Sequence, residues 1–399
     1  MIINRREFLT TSALASASLL LPNFLKALSF SENTLVAQQN ILIILQLSGG
    51  NDGLNTIIPI KNDLYYKNRQ KIGIKNALNL TDDVGIHPAL QFFKELYDNG
   101  ELAILNNVGY PEPDKSHFRS MDIWQTASKS NEYLSTGWVG RYLDEVCYNC
   151  NHPTQALEIN DMLSLAMKGE EKKAFAFQNP KRLYQTSQEV FFKEILQANN
   201  KDQHEHKTTS YLYQTLGETV NNASYIFDKS KTKETTISYP NSQIAKDFKT
   251  IASLIKSDIN TRVYYLDIGS FDTHVNQNDR QQNLFSDMNE AIKSFVQDMK
   301  SNGLFSNVMI ATFSEFGRRV AENQSNGTDH GTANQMFFVS GGLHKKGLLN
   351  PLPNLEKLND GDLIYTEDFR KVYATLLKNW LQADSSKILG WKNGIYDFI

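Results

Sequence analysis

Ile41-Leu42-Ile43-Ile44-Leu45-Gln46-Leu47 is an apolar run broken by a single amide, and Ser48-Gly49-Gly50-Asn51-Asp52-Gly53 stops it. A run this short, rich in β-branched side chains and closed by turn residues, predicts a strand covered on both faces, the mark of a parallel sheet. The pattern spreads outward from it. Pro88 to Asn99 places Leu90, Phe93, Leu96 and Tyr97 at helical spacing, and Gly100 ends the helix. Leu102 to Val108 reads as the next strand. A loop with Pro111 and Pro113 then leads to Ser116 and a helix through Thr126. Strand character returns at Val263 to Ile268, followed by a long helix at about 278–301 and strands at Val308 to Thr312 and Gln335 to Val339. A short strand near Leu363 and Ile364 and a helix from about Glu367 to Leu381 close the chain. Strands alternating with helices predict an α/β fold with a mostly parallel central sheet sandwiched by helices.

The stretch at about 150–250 differs. It is rich in Lys, Gln, Asn, Ser and Thr, with helical stretches near 182–198 and 209–228, and reads as a helical insertion or cap in a domain spanning 38–399. His204 and His206 within it read as part of a solvated loop. The 399 residues allow two or three small domains or one large α/β domain. Lys and Arg number 41 against 44 Asp and Glu, so no basic excess points to nucleic acid as a partner. Two cysteines exclude a disulfide-built fold and a four-Cys zinc site. Cys147 and Cys150 stand as C-x-x-C, which outside the cytoplasm reads as a local disulfide rather than a redox pair.

Asn4-Arg5-Arg6-Glu7-Phe8-Leu9-Thr10 is followed by a softened apolar run, Ala13 to Leu21. This resembles a twin-arginine export signal, with Lys26 behind it and a cleavage point after Ala37. The run is too short to span a bilayer, which takes roughly 20 residues. No later run reaches that length, so an integral membrane protein is not expected. The expectation is a signal peptide over 1–37 and a periplasmic or secreted protein that folds, and loads any metal, before export.

The polar residues cluster by position. Asp52 follows the first strand. Ser116 and His117 follow the second, Asp272 and His274 follow 263–268, Glu315 follows 308–312, and His330 lies in the loop entering 335–339. In an open parallel sheet the loops beyond the carboxyl ends of the strands share one edge, and ligands bind there. Carboxylates and imidazoles gathered at such an edge are ligands for zinc, manganese or a similar divalent ion. Asp272 and His274, at i and i+2, point to one side if the backbone is extended. Ser116 fits a helix N-cap, and a helix start also favours an anion.

Leu45-Gln46-Leu47-Ser48-Gly49-Gly50-Asn51-Asp52-Gly53-Leu54-Asn55, Lys115-Ser116-His117-Phe118, Ser135-Thr136-Gly137-Trp138-Val139-Gly140-Arg141, Phe271-Asp272-Thr273-His274, Thr312-Phe313-Ser314-Glu315-Phe316-Gly317-Arg318 and Thr328-Asp329-His330-Gly331 occur in that order. With the leader, they resemble an exported bacterial family known as a domain of unknown function (number 1501). That family is grouped with the alkaline phosphatase and sulfatase superfamily. The resemblance implies an alkaline phosphatase-like fold with one or two divalent metal ions. It implies metal ligands Asp52, Asp272, His274, Glu315 and His330, and Ser116 as nucleophile. It implies a small anionic ester as substrate, phosphate or sulfate. A second exported protein encoded nearby is an implied partner. Arg318 or Arg319 would clamp the anion.

Two departures bear on this. The Asp/His pair is D-x-H, not D-x-x-x-H, and Phe316 rather than His follows Glu315. A second ion would be under-ligated or absent, whereas a one-ion site is spared. Gly49-Gly50-Asn51-Asp52 also fits the G-x-N-D block of serine esterases, but it lies on the first strand with no room for a preceding serine block. No G-x-S-x-G elbow is present. The alternative to a hydrolase is an exported binding or assembly protein that keeps the fold without catalysis.

Overall fold

The computed structural model describes residues 39–147, 153–192, 194, 207–233 and 235–399. The leader segment and the His204 and His206 loop lie outside them. The central sheet is built from β1 (Ile41–Leu47), β2 (Leu102–Gly109), β3 (Ala156–Glu158), β4 (Phe175–Ala176), β5 (Val263–Ile268), β6 (Val308–Phe313), β7 (Asn334–Val339), β8 (Gly347–Leu348) and β9 (Glu367–Asp368). Their order is β8-β2-β7-β6-β1-β5-β3-β4, with β9 also on β2. β1 lies parallel between β5 and β6. The sheet is mostly parallel; β7 alone among the described strands of this sheet runs antiparallel to its neighbours, β2 and β6.

Alternation along β1 sets the layers. Ile43, Leu45 and Leu47 pack with helices α1 (Gln91–Asp98), α4 (Gln243–Lys256) and α5 (Gln277–Ser301). Leu42 and Ile44 pack with α2 (His117–Thr126), α3 (Trp138–Val146) and α6 (Phe369–Thr375). Helices therefore flank both faces, and both sets of β1 side chains are buried, as an apolar run with no polar face requires. The one amide in the run, Gln46, accepts from the Tyr265 hydroxyl on the α2 face.

Three details differ from expectation. The 150–250 stretch contains helices Pro180–Ser187 and Lys207–Thr232, but it also supplies β3 and β4 to the sheet, strands too short to display alternation. The strand near 363 is Asp362–Leu363, paired with Leu358–Asn359 away from the central sheet. The closing helix is α6 continued by a π turn, Leu376–Trp380. Cys147 ends α3 and is disulfide-bonded, and Cys150 lies outside the described residues. No described helix is long and apolar enough to cross a membrane.

Because β7 is antiparallel, its amino end sits at the same edge as the carboxyl ends of β1, β2, β5 and β6; Asn334 pairs with Val108 near the end of β2. That edge collects the loops named from the sequence.

Candidate metal centre

The loop after β1 must pass close under its neighbours. Gly49 and Gly50 have φ of +119° and +77°, and a Cβ on Gly49 would come within 2.3 Å of the Asp272 nitrogen. Glycine is required there on both counts. Arg318, two residues beyond Phe316, staples the edge. Its Nε donates to the Gly50 carbonyl at 2.6 Å and its Nη1 to Thr328 at 2.9 Å. Its Nη2 donates to the Gly49 carbonyl, to Phe271 at 3.1 Å and to Asp272 Oδ1 at 2.7 Å.

Asp272 Oδ1 is the hub of the site. Around it stand Nε2 of His274 at 3.1 Å, of His330 at 3.3 Å and of His117 at 3.6 Å. His274 Nε2 and His330 Nε2 are 3.0 Å apart. The ligand atoms of His117, Asp272 and His330 all lie within 4.8 Å of one another, a separation that suits one shared ion.

Each imidazole is held from behind. His117 Nδ1 is 2.9 Å from Glu315 Oε1, His274 Nδ1 is 3.2 Å from Asp329 Oδ1, and His330 Nδ1 is 2.8 Å from the Lys115 carbonyl. All three partners are acceptors, so each ring can hold its proton at Nδ1, the tautomer that leaves a lone pair on Nε2 for an ion. Carboxylate or carbonyl support at one nitrogen, with the other free, is how metal-binding histidines are oriented. His117 Nε2 is buried and has no hydrogen-bond partner, which an ion would satisfy. Two imidazole nitrogens and a carboxylate oxygen, from His117, His330 and Asp272, suit zinc or a similar divalent ion, and His274 Nε2 stands beside them against Asp272 and His330.

The electrostatics agree with an ionised hub. Burial pushes the Asp272 carboxyl up, but the Arg318 hydrogen bond and charge, with the facing imidazoles, outweigh it and hold the group below the usual range. The hydrogen bond to Glu315 raises His117, whereas burial lowers His330.

Of the residues singled out in the sequence, Asp272, His274 and His330 come together. His117 joins them as a fourth. Its position after a strand at the same edge was legible, but the direction of its ring was not. Glu315 stands one hydrogen bond behind: it is fully buried, and its Oε1 accepts from the Gly49 N–H at 2.8 Å as well as facing His117. It orients a ligand and is not itself in the cluster.

Asp52 is a correction. Its Oδ1 accepts from the Leu54 N–H at 3.1 Å, while its Oδ2 takes Arg69 Nη1 at 2.5 Å and the Gln277 side-chain amide. Both oxygens are engaged in a buried ion pair and a turn cap. Arg318 is a second correction. It is 2 % exposed, and its donors are committed to four carbonyls and Asp272, so it positions that carboxylate and does not clamp a substrate anion. Ser116 is the N-cap of α2, is exposed, and makes no side-chain cap hydrogen bond. Its N–H is held by Asp114 at 2.7 Å.

Among solved structures, similar chains include the PsFucS1 sulfatase from Pseudoalteromonas sp., 10 % identical over 98 % of this chain and 72 % of that one, with a TM-score of 0.39. The lipoteichoic acid synthase LtaP from Listeria monocytogenes is 12 % identical over 90 % of this chain and 74 % of its own, with a TM-score of 0.35. A TAB5 alkaline phosphatase mutant with Mg bound is 10 % identical over 89 % of this chain and 99 % of its own, with a TM-score of 0.34. At such values the chemistry has to be argued from the side chains themselves. A search of curated proteins finds no match. Residues 39–349, more than three quarters of the sequence, match the family described as protein of unknown function DUF1501, and the chain belongs to that family.

Proposed function

We propose that this chain is a metal-dependent hydrolase of phosphate or sulfate esters that acts outside the cytoplasm. The observation that carries the proposal is the convergence of three Nδ1-anchored imidazoles on one carboxylate oxygen. Asp272, His274, His330 and His117 would hold the ion, zinc, manganese or similar. When bound, such an ion draws electron density from an ester oxygen and favours an ionised oxygen nucleophile.

The chain's own residues supply the rest. Glu315, Asp329 and the Lys115 carbonyl fix the rings. Arg318 fixes Asp272. Ser116 stands at the start of α2, one residue before His117, where the helix dipole favours negative charge. Its hydroxyl is the nucleophile in this proposal.

The test is turnover of aryl phosphate and aryl sulfate esters by metal-loaded protein. Ser116→Ala should abolish turnover and keep the metal, and Asp272→Ala should lose both. A metal-loaded wild type no faster than Ser116→Ala would remove the hydrolase and leave an exported binding protein. Export is tested separately. Replacing Arg5 and Arg6 by Lys should leave the leader uncut in the cytoplasm, because Lys lacks the planar guanidinium fork. Normal processing of that variant would exclude the twin-arginine route.

A further inference from the structure

Where β2 meets β7 the pairing slips by one residue. Asn334 lies opposite Val108 and Met336 opposite Leu105, so Gln335 alone faces both Asn106 and Asn107. Two residues against one is a β-bulge, which re-aims side chains that a regular strand would send to opposite faces. Asn107 takes φ of +60°, a left-handed backbone that asparagine tolerates better than most residues. Both asparagines and Gln335 line one cavity of about 10 Å³, with Leu54, Ile57 and Pro353 among its apolar walls.

Each of the three carries a buried amide oxygen with no hydrogen-bond donor: Asn106 Oδ1, Asn107 Oδ1 and Gln335 Oε1. Asn106 and Asn107 are 1 % and 6 % exposed. Two of the amides are fixed by their nitrogens. Asn106 Nδ2 donates to the Asn350 carbonyl at 3.2 Å and Gln335 Nε2 to the Gly53 carbonyl, so turning either amide over would set oxygen against oxygen. A buried acceptor without a partner is costly, and three at one bulge call for a common one.

A cavity of this size has room for one water or one small ion. A water has two protons and satisfies two acceptors, whereas a cation satisfies all three. The oxygens themselves are neutral. The carboxylates next to the walls in sequence, Asp52 before Gly53 and Asp362 before Leu363, are already paired with Arg69 and with Lys115 and Arg319. Calcium sites draw on carboxylates, whereas rings of neutral carbonyl oxygens hold alkali ions. Burying one charge among neutral dipoles also costs less than burying two. The confined volume favours sodium over the larger potassium.

We propose that the bulge between β2 and β7 binds one sodium ion through the amide oxygens of Asn106, Asn107 and Gln335. The site shares no ligand with the His117, Asp272 and His330 cluster and does not rest on the hydrolase reading. It braces the root of β7. Asn334, next to Gln335, donates its side-chain N–H groups to the carbonyls of Asn51 at 2.8 Å and Phe316 at 3.1 Å, which ties the bulge to two loops of the cluster's edge.

The test is a set of thermal melts of the full-length protein, with zinc present throughout, in sodium, potassium or choline chloride at equal ionic strength. Sodium should raise the melting temperature saturably over choline, by about 2 °C at ten times its dissociation constant, and potassium should do so less. Asn107→Gly suits the left-handed backbone and removes one ligand, so it should fold in choline and lose the sodium gain. Asn107→Asp keeps an oxygen and adds a charge, so it should gain stability from calcium at concentrations that leave wild type unchanged. Equal melts of wild type in sodium and choline would mark a bulge that holds water and overturn the proposal. A gain as large with potassium, a sodium gain undiminished in Asn107→Gly, or an Asn107→Asp protein indifferent to calcium overturns it as well. None of these outcomes bears on ester turnover.

Discussion

His274 Nε2 faces His330 Nε2 at 3.0 Å, and each ring has its other nitrogen against an acceptor. Two lone pairs directed at each other repel unless a cation lies between them. Chelator-treated protein should therefore melt at lower temperature than zinc-loaded protein. The gap should correspond to about 2.7 kcal/mol when zinc is a hundredfold above its dissociation constant. His274→Ala and His330→Ala should each remove the zinc-dependent gain. Thermal melts with and without zinc check this, and identical curves for wild type would mean that the two nitrogens share no ion.

Asp52 and Arg69 form a buried pair, each about 1 % exposed. Breaking a buried pair leaves an uncompensated charge and costs about 3–5 kcal/mol. Arg69→Leu should destabilise the fold by that order in a denaturant titration. Arg69→Leu with Asp52→Asn should recover part of the loss, because Asn can keep accepting the Leu54 N–H. Zinc content of the folded double variant should match wild type. Loss of zinc from it would return Asp52 to the ligand set.

Glu158, at the end of β3, is 1 % exposed, and its Oε2 accepts from the Ser164 N–H at 2.8 Å. Burial pushes its carboxyl up to about 8, against 4.5 for an ordinary glutamate. The folded state thus holds a proton that the unfolded chain releases. The stability this provides is complete below about pH 4.5 and is lost as pH rises through about 8. Glu158→Gln is a permanent mimic of the protonated form. Its melting temperature should fall less than that of wild type between pH 5 and pH 9, and an equal fall in the two proteins would show that Glu158 is already ionised in the fold.

How far the sequence could be read depended on the kind of signal. The long strands β1, β2, β5, β6 and β7 are continuous apolar runs, and periodicity finds such runs well. It is blind to direction, so the antiparallel course of β7 was not legible. At two and three residues, β4 and β3 carry too little pattern to see. For the site, placement at strand ends was enough to gather Asp272, His274 and His330. The role of His117 required knowing that Glu315 lies behind it, across 198 residues. Asp52 reads the same in sequence whether it binds an ion or an arginine, and Arg69 sits beyond a separate short helix, Asp63–Asn68. Arg318 carries a clamp's chemistry, and only the ring of carbonyls around it shows that its donors are engaged.

The reversed course of β7 has a consequence for the order of assembly. The chain leaves β6 and enters β7 at one edge, and between them Arg318 and His330 are joined by an antiparallel bridge across 12 residues. His117 meets Glu315 across 198. Loop closure at the longer separation costs about 2.5 kcal/mol more in chain entropy. The hairpin bearing Glu315, Arg318 and His330 is thus inexpensive to form early in folding, while His117 and the Asp272–His274 loop arrive with the long-range closures of the sheet. Of the cluster only His330, with its supports Glu315 and Arg318, belongs to a local motif, and completion of the cluster reports that the distant parts of the chain have found their places.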